Sequence, residues 1–257
     1  MRIIPRKVAR WLVKNHPRIK RFLPKGYRRY RTRGGKIYLD LHDYPTMLGR
    51  VFSIYEEPKG DAIEDFLRPG MTFVDVGVNK ADFTLLGEKL VGPTGRVVGI
   101  EPDPTNCHWA RKSIAANEYS AEIVQVALSD ADGEAEFHLG QASGWHSLYA
   151  DAPKRSGEKI VVQTRTLDSL AAEMDLKIDA IKIDVEGAEL AALHGAAQAL
   201  QNCGAIFLDI HPQYGVDPIE VCELLVSWGF ELFAEWPKGK KIEAHSNLSG
   251  LVAKRNV

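Results

Sequence analysis

Long apolar runs are missing from this sequence. No stretch approaches the ~18 residues needed to span a bilayer, and no leader-like apolar segment is present. Cysteine is scarce: Cys107, Cys203 and Cys222 are the three in 257 residues. They lack metal-ligand spacing and read as small buried hydrophobes of a reducing compartment, so a cytoplasmic protein is expected. Acidic residues are absent from the first 36 positions, which hold 14 of the 33 Lys and Arg. The rest of the chain sets 19 basic residues against all 34 acidic ones, so the net charge of −1 conceals a cationic front and an acidic body. Length and composition predict one large globular domain, residues 37–257, behind a basic extension, residues 1–36.

The glycine pattern of a dinucleotide-binding turn is also incomplete. Thr72 to Leu86 reads TFVDVGVNKADFTLL: a buried strand, a glycine turn, then a helix from Ala81. A pyrophosphate site wants G-x-G-x-x-G, but beyond Gly77 the matching positions hold Asn79 and Asp82, and an aspartate repels phosphate. That disfavours a nucleotide-dependent oxidoreductase. Asp75, Gly77 and Asn79 instead offer carboxylate and amide groups suited to the zwitterionic tail of S-adenosylmethionine. Glu101 ends the next strand, Arg96–Ile100, where an acid suits ribose hydroxyls. A bare scaffold that binds no cofactor is the other reading of this turn.

In the front, Ile4, Val8, Trp11 and Leu12 fall at helical spacing among basic residues, and Ile19, Phe22 and Leu23 follow Pro17. Such a basic amphipathic segment fits an anionic membrane surface at its inner face. Docking on an acidic body or partner is a second option, and nucleic acid the least favoured. Residues 34–55 read as a hairpin or irregular cap, and Asp61 with Glu64 as a capping box for a short helix through Leu67. Strands and helices then alternate in a βαβαβ pattern: a helix to about Val91, strand Arg96–Ile100, a helix from Pro104 to Asn117 and strand Glu122–Ala127. This is an α/β fold with a doubly wound sheet. GEAEFHLG and EKIVVQTRTL predict two more strands around a polar loop, Ser143 to Ser147, whose Trp145 and Ser147 are candidate substrate contacts. After Asp184 a helix is expected with Leu190, Leu193, Ala197 and Leu200 on one face. Asp217 and Glu220 predict a capped helix ending at Gly229, with FELFAEW and LVAKRNV as a closing hairpin.

Acids end four strands: Asp75, Glu101, Asp184 and Asp209, with Glu186, Glu189 and His211 just beyond. Ligands of open α/β sheets bind at those ends. One such acid is ordinarily a helix cap, and Glu186 with Glu189 can simply complement a helix dipole. His211 is the candidate base, since imidazole takes a proton near neutral pH. Asp184 and Glu189 are expected to position the acceptor, with Glu186 beside them. Asp184 and Asp209 are a possible Mg²⁺ pair of lower rank.

These pieces resemble the FkbM-type methyltransferases, within the Rossmann-like class that uses S-adenosylmethionine. The resemblance runs through FVDVGVNKADFTLL, VVGIEPDP, VALSDADGEAEF, GWHSL, TLDSL, IKIDVEGAELAALHGA and IFLDIHP, from residue 72 to about 212. It implies a mostly parallel seven-stranded sheet of order 3-2-1-4-5-7-6 and methylation of hydroxyls on sugars, polyketides or related glycosylated compounds. It also implies that Asp75, Gly77 and Asn79 hold the methionine moiety, that Glu101 binds ribose, and that Ala127 to Asp130 border adenine. Three departures stand out. Val78 and Ala81 replace the small residues of D-x-G-A-N-x-G and are expected to narrow the cofactor loop, and Asp209 stands where Glu is usual. A catalytically impaired, membrane-associated scaffold is therefore the alternative reading.

Overall fold

A computed structural model describes residues 5–43, 46–148, 155–234, 239–244 and 247–255; Ile4 of the amphipathic pattern and Trp236 of the closing strand lie outside them. The basic front forms α1 (Arg6–Lys14), α2 (His16–Ile19) and a hairpin of β1 (Arg28–Arg31) with β2 (Lys36–Leu39). Arg31 pairs with Lys36, so the boundary expected at residue 36 cuts through this hairpin. Leu12, Val13, Ile19 and Leu23 pack against the core cluster of Ile37, Leu39, Met47 and Leu85. The front is thus docked on its own body. Next come α3 (Thr46–Val51) and α4 (Glu57–Phe66). Asp61 and Glu64 do not cap a helix: α4 already starts at Glu57, and the two carboxylates grip Arg33 at 2.5 and 2.6 Å.

The main body runs β3 (Thr72–Val76), α5 (Asp82–Val91), β4 (Arg96–Ile100), α6 (Pro104–Ala116) and β5 (Glu122–Val124). An excursion follows through β6 (Ala127–Leu128), β7 (Gly133–Gly140) and β8 (Arg155–Arg165). The chain closes with α7 (Leu167–Met174), β9 (Ala180–Ile183), α8 (Glu189–His194), β10 (Ala205–Asp209), α9 (Pro218–Ser227), β11 (Glu231–Phe233) and β12 (Gly250–Lys254). The seven-stranded sheet has the order β5-β4-β3-β9-β10-β12-β11. Only β12 runs antiparallel to its neighbours β10 and β11. Counted along the main sheet this is the expected 3-2-1-4-5-7-6. The order reverses between β3 and β9, where Asp75 lies opposite Lys182, and the crevice for a ligand opens there.

Two elements are shorter than the sequence predicts. The strand expected through Ala127 stops at Val124, because Ala127 and Leu128 pair instead with Thr164 and Arg165 in a separate sheet, β6-β8-β7. The long helix after Asp184 is only α8. Beyond it, the Asp168 carboxylate accepts the backbone N–H groups of Gln198 and Ala199 and starts a new turn, leaving Ala197 exposed. The cap on α9 is as predicted: Asp217 accepts from Ile219 N at 2.9 Å.

Gly87 decides how closely α5 lies on β3. A Cβ there would stand 2.5 Å from Cδ1 of Phe73, whose ring is fully buried. Glycine inside a helix costs about 1 kcal/mol relative to alanine; here the gap admits an aromatic ring. Gly87→Ala should therefore lower stability by about 1–3 kcal/mol despite its better helix propensity. A rise in the urea midpoint would contradict this packing.

Candidate active site

The floor of the site is built from buried charges. Asp75 accepts from Thr84 Oγ1 at 2.6 Å and lies 3.6 Å from Lys182 Nζ. Lys182, 2% exposed, donates to the Gly77 carbonyl at 3.0 Å and lies 3.4 Å from Asp184. Burial works against its charge, and Asp184 and Asp75 restore it. Gly77 has φ +78°, and a Cβ there would stand 1.9 Å from the Asp184 carbonyl oxygen. The two turns after β3 and β9 are therefore nested, and a side chain at Gly77 would part them.

Above this floor, Asn79 N–H donates to Glu101 Oε2 at 2.8 Å and Asp103 N–H to Oε1 at 3.0 Å. Burial raises the Glu101 pKa against those hydrogen bonds. The loop after β7 closes one wall. His146 Nδ1 accepts from Gly140 N–H at 2.8 Å, so Nε2 carries the proton facing Asp103 at 2.9 Å. Asn79 Nδ2 adds a bond to the Ser143 carbonyl at 3.1 Å.

His211 faces Asp184 and Glu186 across the opening. Its Nδ1 lies 2.7 Å from Glu189 Oε1, and its Nε2 lies 3.5 Å from Glu186 and 3.9 Å from Asp184. Burial opposes the imidazolium, but the Glu189 hydrogen bond and the charges of Asp184 and Glu186 raise His211 to about 9. Glu186 rises to about 7 through burial and the nearby Asp184 charge. Burial would raise Asp184 too; Lys182, Lys59 and His211 hold it well below the ordinary carboxylate range.

One cavity of about 310 Å³ brings together Gly77, Asn79, Glu101, Ala127, Trp145, Asp184, Glu186, Asp209 and His211. Four expected site residues are not on its wall, and each has a local reason. Asp75 lies beneath, held by Thr84 and Lys182. Asp130 is exposed beside Ser129. Ser147 is buried where its backbone pairs with His138. Glu189 is fully buried behind His211, with its Oε1 on the imidazole Nδ1. Ala81 is off the wall as well, whereas Val78 is on it with its Cγ2 toward Gly99, so of the two only Val78 is placed to narrow the cavity. Arg50, Tyr55, Glu56, His146 and Lys182 line the cavity unforeseen. Of these, Lys182 carried a signal: a lysine inside a run of apolar strand residues needs a buried partner.

Comparison with known families settles the class. The description "Methyltransferase FkbM domain" matches residues 75–232, more than half of the chain. The chain belongs to this family. A hexuronic acid methyltransferase, AglP, of Haloferax volcanii is 30% identical over 132 residues, 50% of this chain and 52% of that protein. A protein-L-isoaspartate O-methyltransferase of Triticum aestivum is 33% identical over 86 residues, 33% of this chain and 34% of that one. The chain thus spans about half the length, or less, of these relatives. Among solved structures, Aeropyrum pernix fibrillarin with natively bound S-adenosyl-L-methionine aligns at TM-score 0.44 and 11% identity, over 89% of this chain and 81% of that one.

S-adenosylmethionine is the cofactor expected of this family, and the residues fit it. Asn79 Oδ1 is buried without a hydrogen-bond partner among the described residues, and a ligand donor can fill that position. Glu101 Oε2 takes only the Asn79 N–H and keeps a further lone pair for a ribose hydroxyl, while Oε1 also accepts from Asn106 Nδ2 at 3.4 Å. Ile100, Val126 and Leu128 give the apolar wall an adenine needs. The lower-ranked Mg²⁺ fits less well. Asp184 can cluster with Glu56 and Asp209, or with Glu186 and His211. Yet Lys59 is already paired with Asp209 and Glu56, and Lys182 with Asp184. Protein cations thus already neutralise the three acids of the Glu56–Asp184–Asp209 group.

Gly77→Ala is expected to abolish S-adenosylhomocysteine binding in calorimetry, because the β3 and β9 turns cannot both keep their places. Unchanged affinity would refute the nested-turn geometry.

Proposed function

We propose that the protein is an S-adenosylmethionine-dependent O-methyltransferase acting on a hydroxyl of a sugar, glycolipid or similar small-molecule or glycan acceptor. One observation supports this above others: a single cavity at the strand ends has Glu101 on its wall together with the Asp184–Glu186–His211 group. A relative named for hexuronic acid methylation supports a sugar acceptor. When bound, the cofactor supplies an electrophilic methyl group on a sulfonium. The chain's own work is to hold the acceptor at attack distance and to take its proton.

His211 is the proposed base. Glu189 fixes the proton on Nδ1, which leaves Nε2 as the atom that can accept a hydroxyl proton as the C–O bond forms. Glu189, Asp184 and Glu186 then stabilise the imidazolium. Asp184 and Asp209 are proposed to accept hydrogen bonds from acceptor hydroxyls, and Trp145 to cover the sugar face. An anionic membrane surface at the cytoplasmic side is the proposed partner of residues 1–25, ahead of nucleic acid. No described helix is long and apolar enough to cross a membrane.

The carboxylates that strengthen His211 also keep it protonated at neutral pH. A base must lose that proton first, so kcat/KM should climb about tenfold per pH unit from neutrality and level off near pH 9. A pH profile flat between 7 and 9 would remove His211 from this role. His211→Asn should lower kcat by about 10²–10⁴ while leaving S-adenosylhomocysteine affinity intact. EDTA should leave turnover unchanged, and a loss reversed by Mg²⁺ would restore the metal. Absence of any S-adenosylhomocysteine binding by the wild-type protein would favour the impaired scaffold.

A further inference from the structure

The cationic front has two faces, and the body uses only one. Ala9 and His16 are buried, with Leu12 and Val13 partly buried against the core. Val8, Trp11 and Phe22 point to solvent, 45%, 57% and 72% exposed. They are three of the six large apolar side chains that stand exposed among the described residues. At helical spacing Val8 and Trp11 lie one turn apart, with Trp11 nearly opposite Ala9. Lys7, Lys14, Arg18, Arg21 and Lys25 stand exposed in the same segment, where no acid occurs, while Arg6 and Arg10 pair with Glu57 of α4.

A lone exposed hydrophobe needs no explanation. Two large aromatics and a valine within a field of uncompensated cations do. An anionic bilayer interface satisfies both halves: apolar side chains reach below the headgroups while Lys and Arg stay at the phosphates. The placement of α1 extends this to the substrate. α1 packs on α3, and α3 supplies Thr46, Met47 and Arg50 to the cavity wall. Packed helix axes lie about 8–10 Å apart, so the outward stripe of α1 lies within about two helix diameters, ~20 Å, of the cavity wall.

We propose that Val8, Trp11 and Phe22 seat the protein on an anionic lipid bilayer, and that the acceptor hydroxyl is carried by a molecule anchored in that bilayer. The seating deepens the membrane partner proposed above by naming the inserting face, and the acceptor half rests on the methyltransferase reading. Full-length wild type and Trp11→Ser/Phe22→Ser protein should be sedimented with phosphatidylcholine vesicles, with and without about a third phosphatidylglycerol. Wild type is expected to bind the anionic vesicles alone, and the double variant at least about tenfold more weakly. Both should bind S-adenosylhomocysteine equally, which shows that the body of the variant is folded. Equal vesicle binding by the two proteins overturns the seating, as does binding to an RNA oligonucleotide in preference to the vesicles. For the acceptor, wild type is incubated with methyl-labelled S-adenosylmethionine and either washed cell membranes or the soluble extract. Label is expected in the chloroform–methanol extract of the membranes, and label confined to water-soluble products overturns this half. Vesicle binding without S-adenosylhomocysteine binding would sink the methyltransferase reading while leaving the seating in place.

Discussion

A carboxylate withdrawn from water at the tip of a buried strand needs a positive charge beside it, and Lys182 serves two of them at once. Its ammonium lies between Asp75 and Asp184 and donates to the Gly77 carbonyl. The turn after β3 and the turn after β9 are therefore held by one group. The close approach at Gly77 makes that arrangement exclusive, since the Asp184 carbonyl oxygen occupies the space of a side chain. What the cavity presents to a ligand follows from this floor.

The same logic repeats outward. Lys59 is paired with Asp209 and Glu56, Arg50 with Asp82, and Glu189 with the ring of His211. Asp184 keeps its charge because Lys182, Lys59 and His211 lie beside it, whereas burial outweighs the neighbours of Asp75, Glu101 and Asp209 and raises all three. His211 shows the consequence for chemistry. Surrounding carboxylates make the imidazolium stable, which favours proton uptake in the role proposed for it and depletes the free base at rest. Basicity and availability are opposed, and the position of the balance depends on pH.

Charge segregation along the chain has a structural counterpart. Arg6, Arg10 and Arg33 reach Glu57, Asp61 and Glu64 on α4, while apolar residues of the front fill a cluster under β2. Part of the cationic surplus thus binds the acidic body. The remainder stays on the surface with Trp11 and Phe22, and this residue of charge and apolar area is what a partner can use.

Local pattern determined a large share of this molecule. Runs such as TFVDV and AIKI, cut by glycine turns and followed by amphipathic helices, dictate buried parallel strands; acids at their ends mark the ligand side of the sheet. These signals lie within one segment, so a reader of the sequence has them all. Asn79, Glu101, Asp184 and His211 were legible for that reason. Only the tertiary structure decided which acids reach the cavity. Asp75 and Glu189 turned inward to Lys182 and His211, and Asp130 turned out to solvent, because partners distant in the chain arrived first. Arg50 and Tyr55 joined the wall from a segment with no motif of its own. Ion pairing and packing depend on distance in space, and a sequence records only distance along the chain.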